Sequence, residues 1–228
     1  MTAQIATLDD PVGSSLRGPH VDFAVCSGRV ARYAPDVAPF ASLGGPPDSD
    51  AWTGFADLGA GVLLLDPDLS IDLPEGWRTT WILLGVQMVD TGMATQPDEE
   101  AVQLGPADVP EMLDLVSRTR PGPFLLRTVE LGSYLGIRRD GALIAMAGER
   151  MHPPGYTEIS AVCTDPDHQG SGLASRLMRA VAHGIRGRGE VPILHASSTN
   201  HTAIRLYEKL GFAVRREFQF VGFERPTH

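Results

Sequence analysis

The chain has 228 residues, a formal net charge of −9, 43% hydrophobic residues and two cysteines. An acidic total argues against general nucleic-acid binding, which needs a basic stripe, and Cys26 and Cys163 are too few for a disulfide framework and lack metal-type spacing. No window approaches 18 uninterrupted apolar residues and no charged leader precedes an apolar run, so a soluble, cytoplasmic protein with no membrane partner is expected.

In chain order, the first 14 residues read as a mobile tail. Residues 21–30, 37–43 and 52–58 are short apolar-rich stretches, with a Gly/Pro/Asp loop over 44–50. Residues 62–65 and 80–84 read as buried strands joined by a Pro/Asp-rich connection, and 90–100 as a linker. Charge changes across that linker. Residues 1–100 hold 15 acidic residues against four arginines, a net −11, whereas 101–228 hold 13 against 15 basic residues, a net +2. The asymmetry divides the chain into a smaller N-terminal αβ unit over 1–95, of unknown role and without a catalytic motif, with a degenerate relative of the second half as one reading of it, and a second unit over 101–228.

In the second unit, 101–104 reads as a strand and 107–117 as a helix with Met112 and Val116 on its buried side. Residues 135–138 and 142–151 form a hairpin around Asp140-Gly141. His152-Pro-Pro-Gly155 leads into 156–164, whose alternation puts Ile159, Ala161 and Cys163 on one side and Glu158, Ser160, Val162 and Thr164 on the other. Leu173, Leu177, Val181 and Ile185 then recur every four residues, the period of a helix. A strand over 192–196 follows, then a helical stripe of Ala203, Leu206, Tyr207 and Leu210 closed by Gly211, and strands over 214–223.

Between the alternating and the helical run lies Asp165-Pro-Asp-His-Gln-Gly-Ser-Gly-Leu-Ala174. A strand entering a helix through two glycines leaves several N–H groups unpaired at the positive end of the helix dipole, with no large side chain to block an anion. Three kinds of phosphate turn compete. A Walker loop needs Gly-Lys-Ser/Thr, and the single lysine, Lys209, is far away. A dinucleotide turn finds its small residue in Ser175, but Glu190 is only loosely placed for a ribose and no second βαβ unit follows.

The third kind fits best. Gln169-x-x-Gly172-x-Ala174 matches the Gln/Arg-x-x-Gly-x-Gly/Ala signature of the GNAT superfamily of acyl-coenzyme A-dependent N-acyltransferases, which the chain resembles from about residue 101 to its end. The phrase from Asn200 through Tyr207 to Phe212 resembles that family's second signature. The resemblance implies an α/β (α+β) fold with a mixed, mostly antiparallel sheet flanked by helices. It also implies acetyl-coenzyme A as cosubstrate, a small-molecule or peptide amine as acceptor, and no metal; a homodimer is left open.

By the same resemblance, the backbone of Val162, Cys163 and Thr164 would pair with the pantetheine arm, and the amides of Gln169, Gly170, Ser171, Gly172, Leu173 and Ala174 would grip the pyrophosphate. Asn200 would bind the coenzyme arm or cap its helix, and Tyr207 would protonate the departing sulfur. An amine of pKa about 10.4 is protonated at neutral pH, so a base is needed. Glu158 and His195 compete for that role, with Glu158 slightly preferred. Cys163 reads as a core residue rather than a nucleophile. The acceptor pocket would come from residues 121–133, 152–155 and 218–223, and the acidic first part would attract a cationic acceptor. Competing functions are a non-catalytic acyl-coenzyme A sensor or partner-binding module, and a nucleotide-dependent oxidoreductase.

Overall fold

The computed structural model describes residues 7–59, 61–66 and 71–224. Among these residues eleven strands form one sheet: β1 (Ala24–Ser27), β2 (Val30–Tyr33), β3 (Phe40–Ser42), β4 (Val62–Leu65), β5 (Arg78–Asp90), β6 (Val102–Leu104), β7 (Tyr134–Arg139), β8 (Ala142–Glu149), β9 (Tyr156–Thr164), β10 (Val191–Ser197) and β11 (Phe212–Glu224). Their spatial order is β1-β2-β3-β4-β11-β5-β10-β9-β8-β7-β6. Only β3 with β4 and β9 with β10 run parallel; every other pair is antiparallel, giving the mixed, mostly antiparallel sheet expected. β5 lies mid-sheet between β11 and β10, so a strand from the first 95 residues pairs on both sides with strands from beyond residue 101.

Among the described residues five helices of six residues or more cover the sheet: α1 (Pro11–Leu16), α2 (Ser49–Asp57), α3 (Val109–Thr119), α4 (Leu173–Gly187) and α5 (His201–Leu210). The four-residue repeat of α4 buries Leu173, Leu177, Val181 and Ile185 in one cluster with Ile137 of β7, Ile159 of β9 and Leu194 of β10. α3 buries Met112 and Leu115 in a separate cluster with Met146, Ala161 and Cys163. Leu115 therefore takes the core place expected of Val116, which is only partly buried.

Two expectations are corrected. The run 80–84 belongs to β5, but Trp81, Ile82, Leu83 and Leu84 are exposed rather than buried, because β10 pairs with β5 only from Gly85 to Val89 and leaves the first half of the strand with one neighbour. Residues 7–14 are not a mobile tail: Asp10 caps α1 by accepting from Gly13 N at 2.8 Å, Pro11 opens the helix, and Leu8, Val12 and Leu16 are core. Residues 1–6 of that stretch, and 67–70 of the Pro/Asp-rich connection, lie outside the described residues.

The charge asymmetry resolves into ion pairs between the two parts of the chain. Asp9 meets Arg215 and Arg216, Asp90 meets Arg186, and Asp98 meets Arg176. The Asp9 pairs lie at the surface, where each contributes little alone, whereas the Asp90 and Asp98 carboxylates are buried beneath their arginines; together they place the acidity of the first part against the arginines of the second. No helix among the described residues is long and apolar enough to cross a membrane.

His20 is buried with both ring nitrogens occupied: Nδ1 accepts from the Tyr33 hydroxyl at 2.9 Å and Nε2 donates to the Leu131 carbonyl at 3.1 Å. Burial, reinforced by the neighbouring His152, lowers its pKa to about 4. Because the unfolded value lies near 6.5, the stabilisation is fully present above that pH and is lost as pH falls toward 4, up to roughly 3 kcal/mol. Urea midpoints should therefore drop between about pH 7 and pH 4.5, and drop less in His20→Gln, whose amide can keep both bonds. Equal drops in the two proteins would remove this role.

Candidate active site

The site starts where two parallel strands part. β9 and β10 pair only at Tyr156–Val191, Thr157–Pro192 and Glu158–Ile193, beyond which β9 keeps β8 as its neighbour and β10 keeps β5. The far half of β9 is also interrupted. Ser160 opposes Gly148 and Cys163 opposes Met146, so two β9 residues face Ala147 alone, and Ala161 takes a φ of 52°. This is a β-bulge, which frees backbone groups from the ladder and turns the strand.

The bulge corrects the alternation inferred for 156–164. Ile159 and Val162 pack toward the α4 cluster, whereas Ala161 and Cys163 pack toward α3, so Ile159 and Cys163 do not share a side. The strict period of two fails because one inserted residue flips every side chain beyond it.

At the end of β9, Asp165 accepts from Asp167 N at 2.9 Å and holds a short turn over Pro166–His168. Gly170 and Gly172 follow, both with φ 77°, a conformation that favours glycine, and a Cβ at either would meet nothing within 4 Å. α4 then begins with no side-chain cap and no acidic residue in its first turn. The N–H groups from Gly170 to Ala174 donate to no acceptor among the described residues. This is an open main-chain cradle at the positive end of a helix dipole, and it fits the diphosphate of coenzyme A on its own donors.

A cleft of about 1120 Å³ runs from this cradle across the splayed strands. Val162, Cys163, Thr164, the run from Gln169 to Ala174, Asn200, His195 and Tyr207 all line it. Of the segments expected to form the acceptor pocket, Pro121, Gly122, Pro123 and Phe220 reach the cleft, and 152–155 does not. Asn200 caps α5, its side chain accepting from Ala203 N at 3.1 Å. Tyr207 lies two turns on, its ring edge-on to Phe212 at 6.4 Å, and burial raises its pKa, so the phenol holds its proton at neutral pH. Burial likewise pushes the Cys163 thiol up to about 11, which leaves it a thiol rather than a nucleophilic thiolate.

The two base candidates turn out to be one assembly. Glu158 does not line the cleft; its side chain is 1% exposed and receives the Arg150 guanidinium through Nε at 2.9 Å and Nη2 at 2.6 Å. Its Oε1 also accepts from His195 Nδ1 at 2.8 Å. Burial alone would raise the Glu158 pKa, but Arg150 and His195 outweigh it and draw it to about 2. On the far side of the imidazole, Nε2 lies 3.0 Å from Gln87 Nε2. Gln87 is oriented by Arg215, which donates to its Oε1 at 2.7 Å, and by the Leu8 carbonyl, which accepts from its Nε2 at 2.9 Å. Its amide must therefore donate to His195, which fixes the ring as the tautomer with hydrogen on Nδ1. Arg150 and Gln87 were not singled out in the sequence. Their only local signal is an isolated polar residue in an otherwise apolar strand, for Gln87.

Splayed parallel strands opening onto a glycine-turn helix N-terminus define an acetyltransferase-type α/β protein. The comparisons agree. A family model described as FR47-like protein matches residues 134–221, from β7 into β11. A solved structure of a putative acetyltransferase from the GNAT family of Novosphingobium aromaticivorans is 41% identical, with a TM-score of 0.86 over 97% of this chain and 99% of that chain. The chain belongs to the GNAT family. It is also similar to the mycothiol acetyltransferase of Thermomonospora curvata, 40% identical over 75 residues, covering 32% of this chain and 25% of that protein. The N-alpha-acetyltransferase RimI of Mycobacterium tuberculosis is 35% identical over 95 residues, 40% of this chain and 55% of that one. The chain thus spans about a quarter of the length of the first of these curated relatives and about half of the second.

Proposed function

We propose that this chain is an acetyl-coenzyme A-dependent N-acetyltransferase that transfers the acetyl group directly to an amine. The observation that carries the reading is that the open N–H cradle from Gly170 to Ala174, His195 and Tyr207 share one cleft. Acetyl-coenzyme A supplies the acetyl thioester. The free backbone edge of Val162 to Thr164 takes the pantetheine arm as an added strand, and the α4 cradle takes the diphosphate.

Of the two base candidates, only His195 lines the cleft; its side chain is as enclosed as that of Glu158, each 1% exposed, and in this reading the imidazole acts as the base once acceptor binding uncovers Nε2. Its Nε2 releases the Gln87 hydrogen bond to take a proton from the acceptor, while Glu158, held ionised by Arg150, stabilises the imidazolium from Nδ1. As the nitrogen–carbon bond forms and the carbon–sulfur bond breaks, Tyr207 gives its retained proton to the sulfur. Glu158 is a positioning residue in this scheme, since its carboxylate is enclosed behind the ring.

Thiol release on adding a primary amine to protein and acetyl-coenzyme A tests the reading. Amine-dependent release matched by acetylated product is expected. Uptake of acetyl-coenzyme A with no release from any amine would instead make the chain an acyl-coenzyme A sensor.

A further inference from the structure

The acceptor side of the cleft is built on one row of the sheet. Phe40 on β3 stands opposite Val62 on β4, Val62 opposite Gly222 on β11, and Gly222 opposite Trp81 on β5. Directly opposed residues share a face, and two residues along the same face Leu83 opposes Phe220. Continuing along β5 by twos, the face passes Gly85 and reaches Gln87, opposite His195 on β10. The apolar row and the proposed base therefore occupy one surface, away from the α4 cradle.

Gly222 has a specific purpose in that row. A Cβ there would come within 2.4 Å of Trp81 Nε1 and 2.7 Å of its Cε2, so the indole occupies the space the missing side chain leaves. Trp81 and Leu83 remain 45% and 43% exposed while lining the cleft, an apolar area that a ring-sized ligand would cover. Phe40 and Phe220 stand 5.8 Å apart beside it, and the Arg150 guanidinium lies 4.8 Å above Phe40.

Charge points the same way. Among the described residues no aspartate or glutamate lines the cleft, whereas Arg120, Arg205 and Lys209 do, together with Arg150, whose charge Glu158 neutralises. A polycation would bring its second ammonium into a space with no anionic partner, and like charges there are repelled. The acidic residues of the first part, which suggested a cationic acceptor, are instead engaged with arginines of the second.

We propose that the acceptor is an amine carried on an apolar, ring-bearing body with no second positive charge, seated on Trp81, Leu83, Phe40 and Phe220. The proposal deepens the acetyl-transfer reading and rests on it for the identity of the reacting group. Its test pairs thiol-release rates for tryptamine, phenethylamine, spermidine and kanamycin with calorimetric binding of the same amines to protein holding coenzyme A. The aromatic amines should exceed spermidine by about tenfold in kcat/KM, and Trp81→Ala should raise their KM by about tenfold, the scale of a lost aromatic contact. Leu83→Asp, a change at a half-exposed position, should weaken the aromatic amines and improve spermidine. If tryptamine binds better than spermidine but no amine releases thiol, the acetyl-transfer reading fails and the chamber assignment stands. Preference for spermidine or kanamycin, no binding of either aromatic amine, or an unchanged KM in Trp81→Ala would overturn the proposal.

Discussion

Arg150→Met should lower the unfolding free energy by about 3–5 kcal/mol, the usual cost of removing one partner of a buried ion pair. Arg150 and Glu158 side chains are 7% and 1% exposed, and the pair is joined by two parallel hydrogen bonds. Without the guanidinium, the carboxylate keeps the Met151 amide and His195 as its partners, too little to offset burial of a charge. Removing both charges should be milder, so Arg150→Met combined with Glu158→Gln should recover more than half of the loss. The sign with pH follows from the carboxylate: its pKa is held below the ordinary value of 4.5, so its stabilisation is complete above about 4.5 and declines as pH falls toward 2. Urea titration of the three proteins measures this. A single variant within about 1 kcal/mol of the native chain would mean that the pair adds little to the fold.

Tyr207→Phe should lower turnover by about 10²–10⁴-fold, the range for loss of a positioned proton donor, and leave acetyl-coenzyme A affinity unchanged. The substitution keeps the ring that packs against Phe212 and the α4 cluster, so the fold is retained. Burial raises the phenol pKa, which makes Tyr207 a weaker acid in bulk terms but keeps the proton on the phenol at neutral pH, as the proposed role requires. In the proposed mechanism its placement in the cleft would therefore matter more than its acidity. Rapid-mixing kinetics with saturating cosubstrate separates the chemical step from release, and equal single-turnover rates in the two proteins would remove Tyr207 from the mechanism.

The parts of this molecule that were readable from sequence are those whose causes are local. The two glycines of the cradle, the four-residue repeat of α4, the Asp-Gly hairpin and the capping asparagine of α5 each act within a few residues of chain. Pairings over long sequence distances were not readable. Gln87 reaches His195 across 108 positions, and Arg150 meets Glu158 only because β8 and β9 fold back on each other. The bulge at Ala161 has no compositional signal, since a non-glycine residue at positive φ is held there by its surroundings. The exposure of Trp81 to Leu84 was hidden for a related reason: an apolar run reads the same whether a neighbouring strand covers it or stops at Gly85.

The most direct test of the account is a calorimetric titration of the folded chain with acetyl-coenzyme A, repeated with Gly172→Val. The account predicts one-site uptake by the native protein and a strong loss in the variant, whose β-branched side chain would strain the backbone at φ 77° and so displace the N–H groups of the cradle. No uptake by well-folded native protein, or equal uptake by the variant, would contradict it.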